Sequence, residues 1–487
     1  MKPLGYNPLM QNDTIAAIAT PPGVGGIGVI RISGADAFRL VLPVFRRAGS
    51  RDVISALPLS HQLTYGHILD PITHELLDEV LVAFMHAPHT YTREDVVEIQ
   101  GHGGPLVLKR LLRAVLAQGA RLANPGEFTL RAFLNGRLDL AQAEAVMDLI
   151  GSETEASQRL ALQQLQGRLS VQIEAARRSM LGAIARIEAS IDFPEEDVPI
   201  PQSADLLPFI STAQQQVAAL LAGSEQGRLY RQGLRTAIIG RPNVGKSSLL
   251  NALLRTDRAI VTPIAGTTRD TVEEVANLRG IPLHLIDTAG ITPTSDPVEQ
   301  IGVQRSRAAA ENADVILLVF DGSEPLTAQD HQVSVEVQAF GFGLLANDHN
   351  TANHPRPVII IINKADCELR IEQTRLEMIW PQTPIVTVST LTGRGLSELE
   401  NTLADLVHAG KGLHSESVLV TNARHQEALR QATEHLQAAC VSLAEALPLD
   451  FVSIDLRAAY SVLGEVTGET ASDDLLDKIF SEFCIGK

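Results

Sequence analysis

The sequence predicts a multidomain chain of α+β and α/β type. An N-terminal α+β domain leads into a discontinuous helical domain, and an α/β domain with a mostly parallel sheet is inserted between the two helical pieces. Three observations predict this. Over residues 1–125, short β-like runs mix loosely with helical patterns and turns. Tracts rich in Ala, Leu, Gln, Glu and Arg, apolar at three- and four-residue spacing, fill 135–223 and return after 420. Between them, over 234–407, short wholly apolar runs alternate with helices, as strands covered on both faces do.

TIAAIAT (14–20) and GVIRI (28–32) read as strands flanking the turn-rich PPGVGG. VVEIQ (96–100) is a further strand, followed by GHGG and a helix over 105–117. LDLAQAEAVMDLI (138–150) and the stretch 153–191 predict long amphipathic helices, and DFPEEDVPIPQS (192–203) interrupts them with three prolines. Strands follow at TAIIG (236–240), LHLID (283–287), VILLVF (315–320), VIIII (358–362) and IVTV (385–388). The polar stretch 341–357 reads as a long loop. Helices return over 422–447 and 456–480. The expected division is 1–125 for the N-terminal domain, 126–228 for the first helical part, 229–409 for the α/β domain and 410–487 for the second helical part.

Charge and composition narrow the function. Forty basic against 57 acidic side chains give a formal charge of −17, which excludes a grip on nucleic acid by bulk positive charge but leaves room for a local basic patch. Cys367, Cys440 and Cys484 are widely spaced and lack a CxxC pair, so neither a disulfide framework nor a zinc site is expected and a reducing compartment fits. The N-terminus does not read as a secretory signal. The apolar runs are strand-sized, far below the ~20 residues that cross a bilayer. A cytoplasmic chain without membrane attachment is the expectation.

Gly240-Arg-Pro-Asn-Val-Gly-Lys-Ser247 is the GxxxxGK[ST] pattern, placed directly after a strand and before SLLNALL. That context suits a phosphate loop. The backbone N–H groups around Asn243, Val244, Gly245 and Ser248 wrap phosphates, Lys246 reaches the terminal ones, and Ser247 offers an oxygen to magnesium. Asp287-Thr288-Ala289-Gly290 ends a strand and brings a carboxylate towards the magnesium, with a flexible glycine beside the terminal phosphate. Asn363-Lys364-Ala-Asp366 ends another strand, and Asp366 can accept both hydrogens on the edge of guanine, which adenine lacks. Ser389-Thr390-Leu391 follows a third strand and can support the same base. Four such segments in this order point to GTP.

This stretch resembles the translation-factor-related GTPases. Gly266-Thr267-Thr268-Arg-Asp270 matches their first switch, which implies that Thr268 joins magnesium in the triphosphate state. Ras-type enzymes place a water-orienting Gln directly after DTAG; here that position is Ile291. Charge compensation and water positioning must therefore come from elsewhere. Resemblance to the potassium-activated branch implies a monovalent cation held by Asn243, Thr262, Ile264 and Thr267, and a water-activating glutamate at Glu299.

The resemblance runs along the whole chain. DTIAAIATPPGVGGIGVIRISG, YTREDVVEIQGHGG, NPGEFTLRAFLNGRLDLAQAEAV and the closing Cys484-Ile-Gly-Lys487 together are similar to the MnmE (TrmE) family of tRNA-modification GTPases. That resemblance implies a folate-binding-like N-terminal domain taking 5-formyltetrahydrofolate or a related one-carbon folate, with Arg31, Glu98, Arg137 and Lys487 as its contacts. Arg137 departs from the Lys often found there, and Arg differs in geometry. Cys484 is open to three readings: a prenylation box, which the closing Gly and Lys fit poorly, a buried structural thiol, or, as the resemblance implies, a group near the folate that modification needs. With Glu299 and Lys246 it completes the catalytic candidates. The resemblance further implies a homodimer through the N-terminal domains and a heterotetramer with the flavin-containing partner MnmG. Its product is an aminomethyl or carboxymethylaminomethyl group at C5 of the wobble uridine of certain tRNAs. Two other functions fit the residues alone: a regulatory or ribosome-associated GTPase switch, and a folate enzyme regulated by GTP that acts on protein or small molecules.

Overall fold

The computed structural model describes residues 13–49, 59–192, 200–256, 274–287, 311–341, 356–407 and 419–487. The chain divides into two compact units, one of 1–150, 162–219 and 427–487, the other of 151–161 and 220–426.

The first unit opens on a seven-stranded sheet. Its strands are β1 (Ile15–Ile18), β2 (Ile27–Ser33), β3 (Phe45–Arg47), β4 (Gln62–Leu69), β5 (Leu76–Met85), β6 (Val96–His102) and β7 (Arg121–Leu122), in the order β3-β4-β5-β6-β2-β1-β7. All neighbours run antiparallel except β1 and β7. Because strand side chains alternate between faces, Ile30 and Ile32 of β2 turn with Val97 and Ile99 of β6 into a core closed by helices Ala37–Val41 and Pro105–Ala117. The same alternation sends Arg31 to the opposite face, where the register sets it directly across from Glu98. Helix Glu127–Leu134 contributes Phe128 to a smaller cluster with Ile15, Ala17 and Ala123. The sequence reading placed the helix over 105–117 where it is found.

The helical part of this unit centres on Arg168–Asp192 packed on Leu449–Thr467. Leu169, Ile173, Ala176, Met180, Ala183, Ile184 and Ile187 recur at three- and four-residue steps, and all are buried, as an amphipathic stripe requires. Arg177 lies in the same stripe, 2% exposed, with its guanidinium 4.2 Å from the Tyr460 ring and 2.8 Å from Glu469. Helix Asp473–Ser481 begins at Ser472, whose hydroxyl accepts from the Leu475 N–H, a cap of the usual kind.

The second unit holds a six-stranded sheet of β8 (Leu234–Ile239), β9 (Glu274–Leu278), β10 (Ile281–Asp287), β11 (Val315–Asp321), β12 (Val358–Asn363) and β13 (Ile385–Thr387). The order is β13-β12-β11-β8-β10-β9, parallel throughout except for the β9–β10 pair at one edge. Every residue of β11 and β12 is buried. Leu317, Val319, Ile359 and Ile361 feed one core, and Ile316, Leu318, Ile360 and Ile362 feed the other. That explains the continuous apolar runs. The β9–β10 hairpin is absent from the sequence reading. It turns at Arg279 (φ 50°) and Gly280 (φ 94°), a pair of left-handed residues suited to a tight hairpin. Thr154 donates to the Gly280 carbonyl at 2.6 Å, which fastens residues 151–161 to this unit.

Candidate functional site

In the second unit the three loops named from the sequence gather at the C-terminal ends of parallel strands, where the order reverses about β8 and such sheets take ligands. Gly240 follows β8, and helix Lys246–Thr256 begins within the motif. The loop turns through Asn243 at φ 66° and Gly245 at φ 97°. Gly245 is required twice over: its φ is left-handed, and a Cβ there would lie 2.2 Å from the Asn363 amide nitrogen. Asn363 itself donates to the Val244 carbonyl at 2.8 Å, so the 363–366 and 240–247 loops are tied directly. Lys246 is buried, and its ammonium donates to the carbonyls of Gly240 (3.0 Å) and Arg241 (2.9 Å). Asn243, Ser247 and Ser248 are exposed at the mouth of the loop.

The 363–366 loop is ordered by neighbouring hydroxyls. Asp366 accepts from the Ser389 hydroxyl at 2.5 Å, and that hydrogen bond holds its carboxyl below the usual range. The Thr390 N–H donates to the Asn363 amide oxygen at 3.4 Å, and Leu391 is exposed beside them. Lys364, at φ 65°, puts its ammonium 2.5 Å from Asp321 at the end of β11. Asp321 also accepts from the Ser323 hydroxyl and N–H. Arg241 of the phosphate loop ion-pairs with Glu324 at 2.6 Å and with Asp330 at 3.2 Å. Asp321 and Arg241 were not singled out in the sequence; the acidic run after β11 gives no sign of which loop it will meet. Asp287 closes β10. Thr262, Ile264, Thr267, Thr268, Thr288, Ala289, Gly290 and Glu299 lie outside the described residues.

In the first unit, residues from both ends of the sequence meet on the sheet face away from the main core. The Arg31 Nε and Nη2 both reach Glu98 Oε1 at 2.8 Å. Its Nη1 donates to the Gly486 carbonyl at 3.4 Å. The Tyr91 and Phe128 rings lie 5.6 Å and 5.8 Å from the guanidinium carbon. The tail is pinned by two backbone bonds, from the Gly126 N–H to the Cys484 carbonyl (3.4 Å) and from the Phe128 N–H to the Lys487 carbonyl (3.2 Å). Burial, and then the nearby Arg31 charge, push the Lys487 ammonium below its ordinary value. The Cys484 thiol is free and its residue exposed.

Arg137 joins the cluster through Tyr91: its guanidinium lies 4.6 Å from the ring centroid and donates to the Tyr91 carbonyl at 2.9 Å. The Tyr91 hydroxyl bonds Thr129 Oγ1 at 2.9 Å. All four residues matched to folate contacts are thus assembled in one place. Tyr91, Phe128 and Gly486 were missed as individual positions, although Tyr91 begins the quoted YTREDVVEIQ.

A buried ionic network supports the same region. Arg131, 5% exposed, reaches Asp13 at 2.5 Å, Glu127 at 3.0 Å and Glu94 at 3.3 Å. Arg121 pairs with Glu127 at 2.6 Å and Asp13 at 2.7 Å. Burial works against ionised Glu127, but Arg121, the Asn124 N–H and Arg131 outweigh it and lower its pKa.

Comparison with known proteins decides the family. The model described as the GTP-binding protein TrmE N-terminus matches residues 14–137, and that described as the MnmE helical domain matches 140–484. The chain belongs to the MnmE family of tRNA modification GTPases. It is 47% identical over 478 residues to the tRNA modification GTPase MnmE of Levilactobacillus brevis, covering 98% of each chain. It is 48% identical to the MnmE of Lactiplantibacillus plantarum, again over 98% of each. Among solved structures it is similar to Aquifex aeolicus Era bound to GDP·AlF4−, at 28% identity over 42% of this chain and 66% of that one, with a TM-score of 0.28. As a member of the MnmE family the chain is a GTP hydrolase. No helix among the described residues is long and apolar enough to cross a membrane.

Proposed function

We propose that this GTP hydrolase acts with a flavin-containing partner, MnmG, to form an aminomethyl or carboxymethylaminomethyl group at C5 of the wobble uridine of certain tRNAs. The one-carbon unit comes from a folate such as 5-formyltetrahydrofolate. The observation that carries the folate part is the cluster of Arg31, Glu98 and Lys487 on one face, with Arg137 linked through Tyr91. A carboxylate can accept from the pterin edge, and the basic groups suit the folate carboxylates. Arg31 is held from several sides before any ligand arrives, which lowers the ordering cost of binding.

In the nucleotide domain, Lys246 takes the terminal phosphates and Asp366 the guanine edge, with Ser389, Thr390 and Leu391 supporting the base. Ser247 and Thr268 would hold magnesium, with the Asp287 carboxylate as a further oxygen for it. Asn243, Thr262, Ile264 and Thr267 would hold potassium, whose charge would do what an arginine finger does elsewhere. Glu299 activates the water. Potassium should stimulate hydrolysis far more than sodium at equal ionic strength, measured as phosphate release; equal rates would remove the cation from the scheme.

Leu63, Tyr65 and Leu81 are exposed, and the strand register puts them on the same sheet face as Arg31 and Glu98. That apolar surface supports a homodimer through the N-terminal domains. The test of the whole reading is nucleoside analysis of bulk tRNA by mass spectrometry from a strain lacking the gene. The C5-substituted wobble uridines should disappear and return with the wild-type protein, but not with Asp366→Ala or Cys484→Ser. An unchanged profile would leave a GTPase switch in its place.

A further inference from the structure

Next to the Arg31–Glu98 cluster lies a cleft of about 680 Å³ with Arg93, Arg137, His61 and His89 among its lining residues and no carboxylate. Tyr91 also lines it, and the Tyr91 ring is the surface that Arg137 and Arg31 both contact. The cleft therefore begins where the proposed folate contacts end. Its two guanidinium groups differ from those around them. Arg31, Arg121 and Arg131 all face carboxylates. Arg93 instead donates to the Asn135 carbonyl at 2.9 Å and Arg137 to the Tyr91 carbonyl, and neither has an ion-pair partner among the described residues. Arg93 also sits at φ 59°, a conformation that a long side chain adopts at some cost. In a chain of net charge −17, two guanidinium groups without an ion-pair partner and two imidazoles lining one cleft suit an anion.

We propose that the cleft takes the γ-linked glutamate chain of a polyglutamylated folate, whose pterin edge lies at Glu98. This rests on the folate reading given above and adds the class of folate. Each added γ-glutamate brings one carboxylate, which matches the planar fork of a guanidinium. Arg137 meets the first glutamate, and Arg93, His61 and His89 meet those that follow. The monoglutamate makes only the first of these contacts.

The test is calorimetric titration of the full-length protein with the mono- and pentaglutamate forms of 5-formyltetrahydrofolate. The pentaglutamate should bind about tenfold more tightly, a difference of ~1.4 kcal/mol, with the advantage shrinking as salt rises. Arg93→Ala and His89→Ala should each reduce that ratio while monoglutamate affinity stays within about twofold, which also reports that the fold is intact. Equal affinity of the two forms for the wild type overturns the proposal, as does a ratio that survives both substitutions together. RNA phosphate is the competing anion: weaker tRNA binding by the double variant with an unaltered glutamate ratio assigns the cleft to RNA and overturns the proposal. If neither folate binds the wild type, the folate reading falls and takes this one with it.

Discussion

Gly486 shows how much a single position can decide. Its φ is +94°, and a Cβ there would sit 2.4 Å from the Ile18 carbonyl oxygen. Gly486→Ala should lift the tail off β1, removing the carbonyl that Arg31 meets and displacing Lys487 and Cys484. Folate affinity should fall roughly tenfold or more, ~1.4 kcal/mol, while GTP affinity is unchanged; titration with each ligand checks both halves. Lys487 adds a pH signature. Its folded pKa lies below 10.5 because of burial and Arg31, so its charge, and with it the folate affinity proposed above, should be lost at lower pH than for an ordinary lysine. The folded state holds that proton less tightly than the unfolded chain does, so this group opposes folding below its lowered pKa and the penalty lifts as pH rises through it. The motif loops were legible as loops because their turns are local: GRPNVGKS and NKAD each follow an apolar strand run and fix a turn in a few consecutive residues. Tyr91 and Phe128 were not, because an aromatic ring becomes part of a site only when tertiary structure brings a guanidinium against it.

At the scale of elements, Asp321 links β11 to both nucleotide loops: it holds Lys364 at 2.5 Å and lies 3.9 Å from Arg241. Asp321→Asn should raise the KM for GTP about tenfold with kcat nearly unchanged, since the chemistry-bearing groups stay in place; steady-state hydrolysis separates the two constants. Burial works against ionised Asp321, yet Lys364 and Ser323 outweigh it and bring its pKa below 3.8. The stability it contributes is therefore present above pH ~3.8 and is lost as pH falls through the lower folded value. Acid unfolding of the wild type should show that component, and the asparagine variant should not. In the helical part, Ile173→Ala within Arg168–Asp192 removes a fully buried side chain and should cost about 2–5 kcal/mol, seen as a lower midpoint in thermal or urea unfolding. Both helix and central strands were readable because their periods, 3.6 and the unbroken apolar run, are set by burial. The β9 edge was not: its turn is Arg279-Gly280, which lacks the Asn-Gly signature, and only the pairing with β10 makes EVANL a strand.

Across the whole molecule, composition could not separate 151–161 from the helices around it. The structure does, through Thr154 on the Gly280 carbonyl and through Ala156 and Leu160 against Tyr230 and Ile281. The open sheet face makes a prediction at the same scale. Leu63→Asp combined with Leu81→Asp should convert the proposed dimer to monomer in light scattering at micromolar concentration, with basal nucleotide affinity retained. Association driven by such a face rests on apolar area removed from water, so two buried charges are enough to oppose it.

The Arg31–Gly486 contact spans 455 positions of chain. At roughly 5–20 residues per second of synthesis, Arg31 and Glu98 wait about 20–90 s on the ribosome before the tail that completes their cluster exists. The nucleotide unit, whose loops all lie between 240 and 391, has every part it needs well before then. A newborn chain therefore completes its nucleotide unit first and the Arg31–Glu98–Gly486 cluster last. An interrupted chain would hold a finished nucleotide unit and, on the function proposed above, an unfinished folate site.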